Sequence, residues 1–355
     1  MADAAACADQ FETPPTPRSA LMVTIKDVAR EAGVSVATVS RACNGSAAVT
    51  EDTRRHVLDI AARLGYTPHG AARSLITNRT STIGVLLPDL YGEFFSEVIR
   101  GVDQAAQRGG YHLLVSSSHD ESREIVAAFR AMRGRVDGLL VMSPDLDARA
   151  AVHEFTDRFP VVLLNCPAEA DRYDSIVIDN LDGARAIVRH LIELGHRRIA
   201  MITGRERNYD SVERRRGFRE VVREAGIAGE DALEITGDFS EASGFRAAAA
   251  LLEAPRRPTA IFAANDSMAI GALSALRAGS LRVPEDISVA GFDDIPMAQY
   301  MNPPLTTVHV DISALGALAT ERLLSHMREV PEHVHRQEVV SCTLVVRGSS
   351  ASAPA

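Results

Sequence analysis

Two different periodicities divide the chain near residue 80. Beyond it, short apolar runs alternate with amphipathic stretches of helical spacing: IGVLLPD (83–89), YHLLVSS (111–117), DGLLVMS (137–143) and VVLLN (161–165). Continuous apolar runs of this length, each followed by a helix pattern, predict parallel strands covered on both faces. A second series, SIVID (175–179), RIAMITG (198–204), TAIFAAND (259–266) and ISVAGFDD (287–294), predicts a second lobe of the same kind. After Pro303-Pro304 the chain is expected to cross back, with a helix from about Ile312 to Met327 on the first lobe. The fold class for residues 81–347 is therefore two doubly wound parallel-sheet lobes.

Residues 23–67 carry the other period. In TIKDVAREAGVSVATVSRACN (Thr24 to Asn44), Val28, Ala29 and Ala32 share one face of a first helix. Gly33 breaks it, and Ser35 can cap a second helix that turns Val39 inward. Thr24 and Asp27 have the spacing of a capping box. Small side chains at Ala29 and Gly33 let two short helices cross closely. Val36, Ala37, Ser40 and Arg41 are left facing outward, as side chains meeting base edges and phosphates in a major groove would be. A third helix starts at Thr50-Glu51-Asp52, buries Val57, Ile60, Ala61 and Leu64, and stops at Gly65. Three helices in about forty residues form a very small core, an all-α helix-turn-helix headpiece rather than a self-sufficient domain.

Between these regions, residues 68–80 include PHGAARSLIT (Pro68 to Thr77), too short for a stable isolated helix and weakened by Gly70. It reads either as a plain linker or as a hinge that becomes helical when supported. Residues 1–22 are rich in Ala, Pro and acids without periodicity and are expected to be disordered. Met22, two residues before the capping Thr24, is the expected true or alternative start; an intact mass showing only Met1-derived protein excludes this. The tail GSSASAPA (348–355) is expected to be disordered, and it lacks leucine heptads for a tetramerising coiled coil.

Charge sharpens the division. The net charge is −9, yet residues 24–80 carry +3 and residues 81–355 carry −10. A cationic head on an acidic body confines nucleic-acid contact to the head. Lys26 is the single lysine among 38 basic residues; arginine suits forked phosphate and guanine contacts, although its use along the whole chain points to coding bias. Cys7, Cys43, Cys166 and Cys342 are widely spaced with no CxxC, so reduced thiols are expected and no metal or disulfide role. Neither a membrane-length apolar run nor a secretory signal in residues 1–20 is present, so a cytoplasmic protein is expected.

The run from Thr24 to Leu75 resembles the headpiece and hinge of the lactose/galactose repressor family of bacterial transcription regulators. The resemblance rests on TIKDVAREAGVSVATVSR, Asn44, TRRHVLDIAARLGYTPH and AARSL, and it continues to about residue 347. It implies a homodimer on a pseudo-palindromic duplex operator. Val36, Ala37, Ser40 and Arg41 would face the half-site, with Thr24, Thr38 and Asn44 placing backbone contacts and Ser35 also DNA-binding. It also implies paired hinge helices, in which Leu75 wedges into the minor groove and Ala72 and Arg73 flank it. The body would be periplasmic-binding-protein-like, with a small effector between its lobes.

In such sheets ligands gather beyond the carboxyl ends of strands. Asp89, Asn165, Asn265, Asp266, Asp293 and Asp294 stand just after apolar runs, where a cap or turn role is expected of any one of them before a ligand contact. Asp266 and Asp294 are the ones expected to be structural. The resemblance favours Asn265, Asp293 and Arg214 as effector contacts, with Asn165 a less secure match. Phe94 and Phe95 can present a ring to a sugar face, with one of the pair expected in the core. Asn, Asp and Arg converging on one cleft suit a polyhydroxyl compound. Val310 replaces a side chain that is polar in several relatives.

An enzyme is the first competing reading. No GxGxxG or phosphate loop follows a strand, and no nucleophile constellation has motif spacing. Neither cofactor nor metal is expected. His333 and His335 form an HxH pair without a nearby third ligand, expected to lie on an exposed loop. A secreted binding protein is the second competitor, disfavoured by the headpiece.

Overall fold

The computed structural model describes residues 23–66, 79–119, 122–144, 159–166, 173–227, 229–329 and 334–354. The chain divides into two compact units, Met1–Thr80 and Ser81–Ala355. The expected disordered segment 1–22 and the hinge residues Ala72, Arg73 and Leu75 lie outside the described residues.

The first unit is a three-helix head: α1 (Ile25–Ala32), α2 (Val36–Cys43) and α3 (Glu51–Leu64). Its core is small, built on fully buried Val28, Val39 and Val57 with Ala29, Ala32, Ala42, Ile60 and Ala61 around them. The Thr24 N–H and Oγ both donate to Asp27 Oδ2, at 3.0 and 2.7 Å, closing the first turn of α1. Those bonds hold the Asp27 carboxyl below its usual range. Gly33 ends α1 at φ 65°, a left-handed conformation that glycine adopts without strain. Ser35 Oγ then accepts from the Thr38 N–H at 3.1 Å and starts α2.

The second unit holds two parallel sheets. In the first lobe are β1 (Thr82–Leu87), α4 (Glu93–Arg108), β2 (His112–Ser117), α5 (Ser122–Met132), β3 (Gly138–Met142), β4 (Val161–Leu164) and β5 (Asp174–Ile178). The second contains α6 (Asn180–Glu193), β6 (Ile199–Thr203), α7 (Tyr209–Glu224), β7 (Ala232–Thr236), α8 (Glu241–Leu252), β8 (Ala260–Ala263), α9 (Asp266–Ala278) and β9 (Ser288–Ala290). The chain then runs through β10 (Thr307–His309), α10 (Ile312–Glu329), β11 (Gln337–Val340) and β12 (Thr343–Val345). The sheet orders are β11-β5-β4-β3-β1-β2 and β7-β6-β8-β9, with β10 and β12 forming an antiparallel pair. Strands β3, β4, β6 and β8 are buried along their whole length, as expected of sheets sandwiched between helices.

All eight apolar runs form strands, but SIVID joins a different sheet from the one expected. Strand β5 pairs with β4 and β11 in the first sheet, so the second lobe begins only with α6. Apolar pattern marks a buried strand without saying which sheet takes it. Helix α10 crosses back as expected and packs on α4, β3, β4 and β5. The close approach depends on glycine: a Cβ on Gly101 of α4 would fall 1.9 Å from the Ser313 carbonyl oxygen, and one on Gly316 of α10 2.4 Å from that of Val98.

The tail corrects another expectation. Residues 348–354 are not loose but laid along the second lobe. Ser349 is fully buried; its Oγ donates to the Val289 carbonyl at 2.6 Å and accepts from the Thr306 N–H at 2.7 Å, while its carbonyl accepts from the Val289 N–H at 2.8 Å. The Ala353 N–H reaches the Leu194 carbonyl at 2.8 Å. Small polar residues bond through backbone and hydroxyl groups at the β9 edge, a role with no apolar periodicity to announce it.

Candidate functional site

On the head, α2 exposes Val36, Ala37 and Arg41, with Ser35 before it and Asn44 after it, while Thr38 and Ser40 are half-buried. Ser35 and Thr38 bond one another through their hydroxyls at 2.8 Å, and Asn44 Nδ2 approaches Ser40 Oγ at 3.5 Å. Neighbouring arginines are tied down: Arg30 pairs with Asp27 and Arg63 with Glu31. Among the described residues Arg41 has no such acidic partner. Arg41 follows Ala37 by one helical turn and both are exposed, on the face the sequence pattern assigned to DNA, with exposed Val36 at its edge. Thr24 is exposed at the start of α1.

In the body, a cavity of about 270 Å³ opens between the lobes. It is walled by the ends of β1, β3, β6, β7 and β8, by the start of α4 and by the loop after β9. Of the seven residues expected to meet a ligand, Asp89, Phe94, Phe95, Arg214, Asn265 and Asp293 line it. Asn165 does not. It is buried behind the wall at φ 47°, where its Nδ2 donates to Asp210 Oδ2 at 3.4 Å. Val310 is buried and likewise away from the cavity.

Capping and lining are not alternatives here. Asn265 accepts the Met268 N–H at 2.9 Å as the cap of α9, while its Nδ2 donates to the Phe239 carbonyl at 3.0 Å. Asp89 Oδ1 accepts the N–H groups of Leu90 and Tyr91 in a tight turn. Phe94 and Phe95 meet edge to face at 5.6 Å, and both are only half-buried on the cavity wall rather than one being in the core. Asp266 and Asp294 are structural, as expected. Buried Asp266 accepts from Thr307 Oγ and the Ile295 N–H, and burial pushes its carboxyl well up. Asp294 pairs with Arg347 at 2.7 Å and faces His309 at 3.0 Å.

The polar floor centres on Arg214, whose side chain is almost wholly buried. Its Nε donates to Asn180 Oδ1 at 2.7 Å and its other nitrogens reach the Ala264 carbonyl at 2.5 Å and Asp293 Oδ1 at 3.0 Å. The guanidinium lies 3.7 Å above the Phe292 ring. Asn180 also donates to Asp210 Oδ1 at 2.7 Å, so it bridges the arginine to a second buried acid. Burial pushes the Asp210 carboxyl up, with Arg214 pulling the other way. Asp293 is pushed up to about 6 by burial, with Arg214 opposing and Asp210 adding to the rise. Two acids thus share one guanidinium.

Sequence reasoning missed Asn180 and Asp210, together with Arg205, Asn208, Asp238, Ser240, Glu241 and Ser267 on the wall. Asp210 carried a usable signal: it precedes Arg214 by one helical turn of α7, so both project from one face. Asn180 carried none, because its partners are 30 and 34 residues away. Phe239 holds φ 72° with its ring against Gly204 and also lines the cavity.

Comparison with known proteins decides the family. Residues 24–69 match the model for bacterial regulatory proteins of the lacI family, and residues 188–350 that for a periplasmic binding protein-like domain. The chain is 37% identical over 332 residues to the transcriptional repressor PurR of Aliivibrio fischeri, covering 92% of this chain and 98% of that protein. This chain belongs to the lacI family of bacterial regulatory proteins. Within that family it is 40% identical over 305 residues to the transcriptional regulator GalS of Salmonella typhimurium, covering 85% of this chain and 89% of that one. The crystal structure of the lac repressor dimer bound to operator and the anti-inducer ONPF superposes with a TM-score of 0.83 at 32% identity, covering 93% of this chain and 99% of that one. LacI-family relatives of this chain are named as transcriptional regulators, and this chain has the head and two-lobed body of that class. Among the described residues no helix is long and apolar enough to cross a membrane.

Proposed function

We propose that this lacI-family regulator is a cytoplasmic, non-enzymatic homodimeric repressor that reads a pseudo-palindromic operator and is controlled by a neutral polyhydroxylated effector. The exposed α2 face carries the DNA half of this reading: Arg41 addresses guanine or phosphate, and Val36 and Ala37 meet thymine methyl groups. Dimer, operator and ligand are each named for the similar lac repressor structure. Related regulators are named in complex with cellobiose or ribose.

One observation carries the effector class. The cavity wall holds six carboxylates (Asp89, Glu93, Asp210, Asp238, Glu241, Asp293) against two guanidiniums (Arg205, Arg214). Arg214 is already engaged by Asn180, Ala264 and Asp293, so an anionic sugar phosphate would meet mostly like charge. Paired hydroxyls instead find acceptors on the acids and donors on Asn265, Asn208 and Arg205. Phe94 and Phe239 offer apolar faces to a pyranose ring. A nucleoside is the second reading, supported by those same rings as stacking surfaces for a base, and by similarity to the repressor CytR of Escherichia coli, 36% identical over 333 residues.

Ligand binding shifts the equilibrium only through unequal affinity for the two states of the body. A thermal-shift screen of the full chain against neutral sugars, sugar phosphates and nucleosides tests the class. A neutral sugar or nucleoside should raise the melting temperature and change operator affinity; a response confined to sugar phosphates would refute the proposal.

A further inference from the structure

A second cluster of chemistry-bearing side chains lies in the first lobe, at the opposite ends of the strands from the effector cavity. Asp174 opens β5 and is fully buried. His326 stands in the last turn of α10, and His335 just before β11. Strand register brings them together: Gln337 pairs with Ser175, so the residues preceding each strand are neighbours. Asp174 Oδ1 accepts the Arg336 N–H at 3.2 Å, which turns Oδ2 toward the two imidazoles. His333 and His335 were expected on an exposed loop; His333 lies outside the described residues, and His335 is half-buried, with its ring 5.2 Å from that of His326, edge to face.

The distances select among roles. His335 Nδ1 lies 3.6 Å and His326 Nδ1 3.9 Å from Asp174 Oδ2, both beyond hydrogen-bond range. All three ligand atoms fall within 4.8 Å of one another. Donors bound to one tetrahedral ion at ~2.1 Å stand ~3.4 Å apart. The two carboxylate-to-imidazole separations are close to that spacing.

We propose that Asp174, His326 and His335 bind a divalent transition-metal ion of the zinc class, which clips α10 to β5 and β11. Two imidazoles with one carboxylate favour a borderline ion over magnesium or calcium, which take all-oxygen sites. Three protein ligands leave a fourth position for water. The ion would stabilise the body from the side away from the effector cavity, through mass action on the folded state.

The test is titration of the untagged full chain with zinc chloride at pH 7.5, followed by calorimetry and thermal melting. One equivalent should bind and raise the melting temperature by about 5 °C at a hundredfold excess over Kd. Cobalt substitution should give the intense visible bands of a four-coordinate site. His326→Ala and His335→Ala should each weaken binding at least about tenfold, with operator affinity retained. His335→Ala, outside any helix or strand, serves as the deciding variant if His326→Ala fails to fold. No saturable binding by the natural chain, or binding unchanged in His335→Ala, would overturn the proposal.

Discussion

Arg214 and Asp293 approach to 3.0 Å in the floor of the cavity, each with its side chain more than nine-tenths buried. The contact couples α7 to the loop after β9, two parts of the second lobe that meet only in three dimensions. Asp293 holds its position at φ 108°, a backbone conformation that side chains rarely adopt.

Arg214→Ala should therefore do two things at once. Removing the cation leaves Asp293 buried without its ion-pair partner and Asp210 with only its two amide donors, a loss of about 3–5 kcal/mol in body stability. It should also abolish the effector response. Arg214→Lys keeps the charge but loses the fork that reaches Asn180 and Ala264 together, so it should lose the response with a smaller fall in urea midpoint. A wild-type dose-response curve in the lysine variant would remove Arg214 from the binding floor.

Effector binding is expected to depend on pH through Asp293. Its carboxyl titrates near 6 rather than 3.8, and only the ionised form is a pure acceptor for ligand hydroxyls. Affinity should fall as pH drops through about 6. The stability contribution has the opposite sign: a raised folded pKa stabilises fully below 3.8 and loses that contribution as pH rises through about 6. Asp293→Asn should flatten both profiles, measured by effector titration and by urea unfolding across pH 4–7.

His196 gives a second, opposed pH effect. It is fully buried, with Nδ1 2.9 Å from Thr259 Oγ and Nε2 near Ser288 Oγ and the Ala351 carbonyl. Burial pulls its pKa below 6.5, with the Ala351 bond opposing. Its contribution is present above pH 6.5 and is lost as pH falls through the lowered folded value. His196→Gln should remove that part of the acid sensitivity in calorimetric melts.

Deleting the chain from Gly348 should destabilise the body, contrary to what a loose tail would allow. Ser349→Ala alone strands the Thr306 N–H, whose acceptor is Ser349 Oγ, and should cost about 1–3 kcal/mol. Unchanged melting of both variants would mean the tail is not a structural part of the lobe.

On the head, Arg41→Ala should reduce operator affinity by about 5- to 150-fold, the equivalent of one good base contact, while leaving the melting of the body untouched. Leu75→Ala should lower specific affinity and DNA bending together, read in gel-phase bend assays. Equal bending by wild type and variant would remove the wedge role.

Much of this protein is legible in one dimension, because it depends on neighbours in sequence. The capping pair Thr24 and Asp27, the break at Gly33 and the inward Val28 and Val39 all act within a few residues, so the head could be drawn from the pattern alone. The buried runs that became β1, β3, β6 and β8 were equally plain, since a strand covered on both faces must be apolar throughout. Partner choice was not. Strand β5 pairing with β11, Ser349 binding β9, Asn180 joining Arg214 to Asp210 and His335 meeting Asp174 all join residues 30 or more apart. Those contacts are decided by which backbone edges and buried charges remain unsatisfied after the layers pack, and no local pattern encodes that remainder.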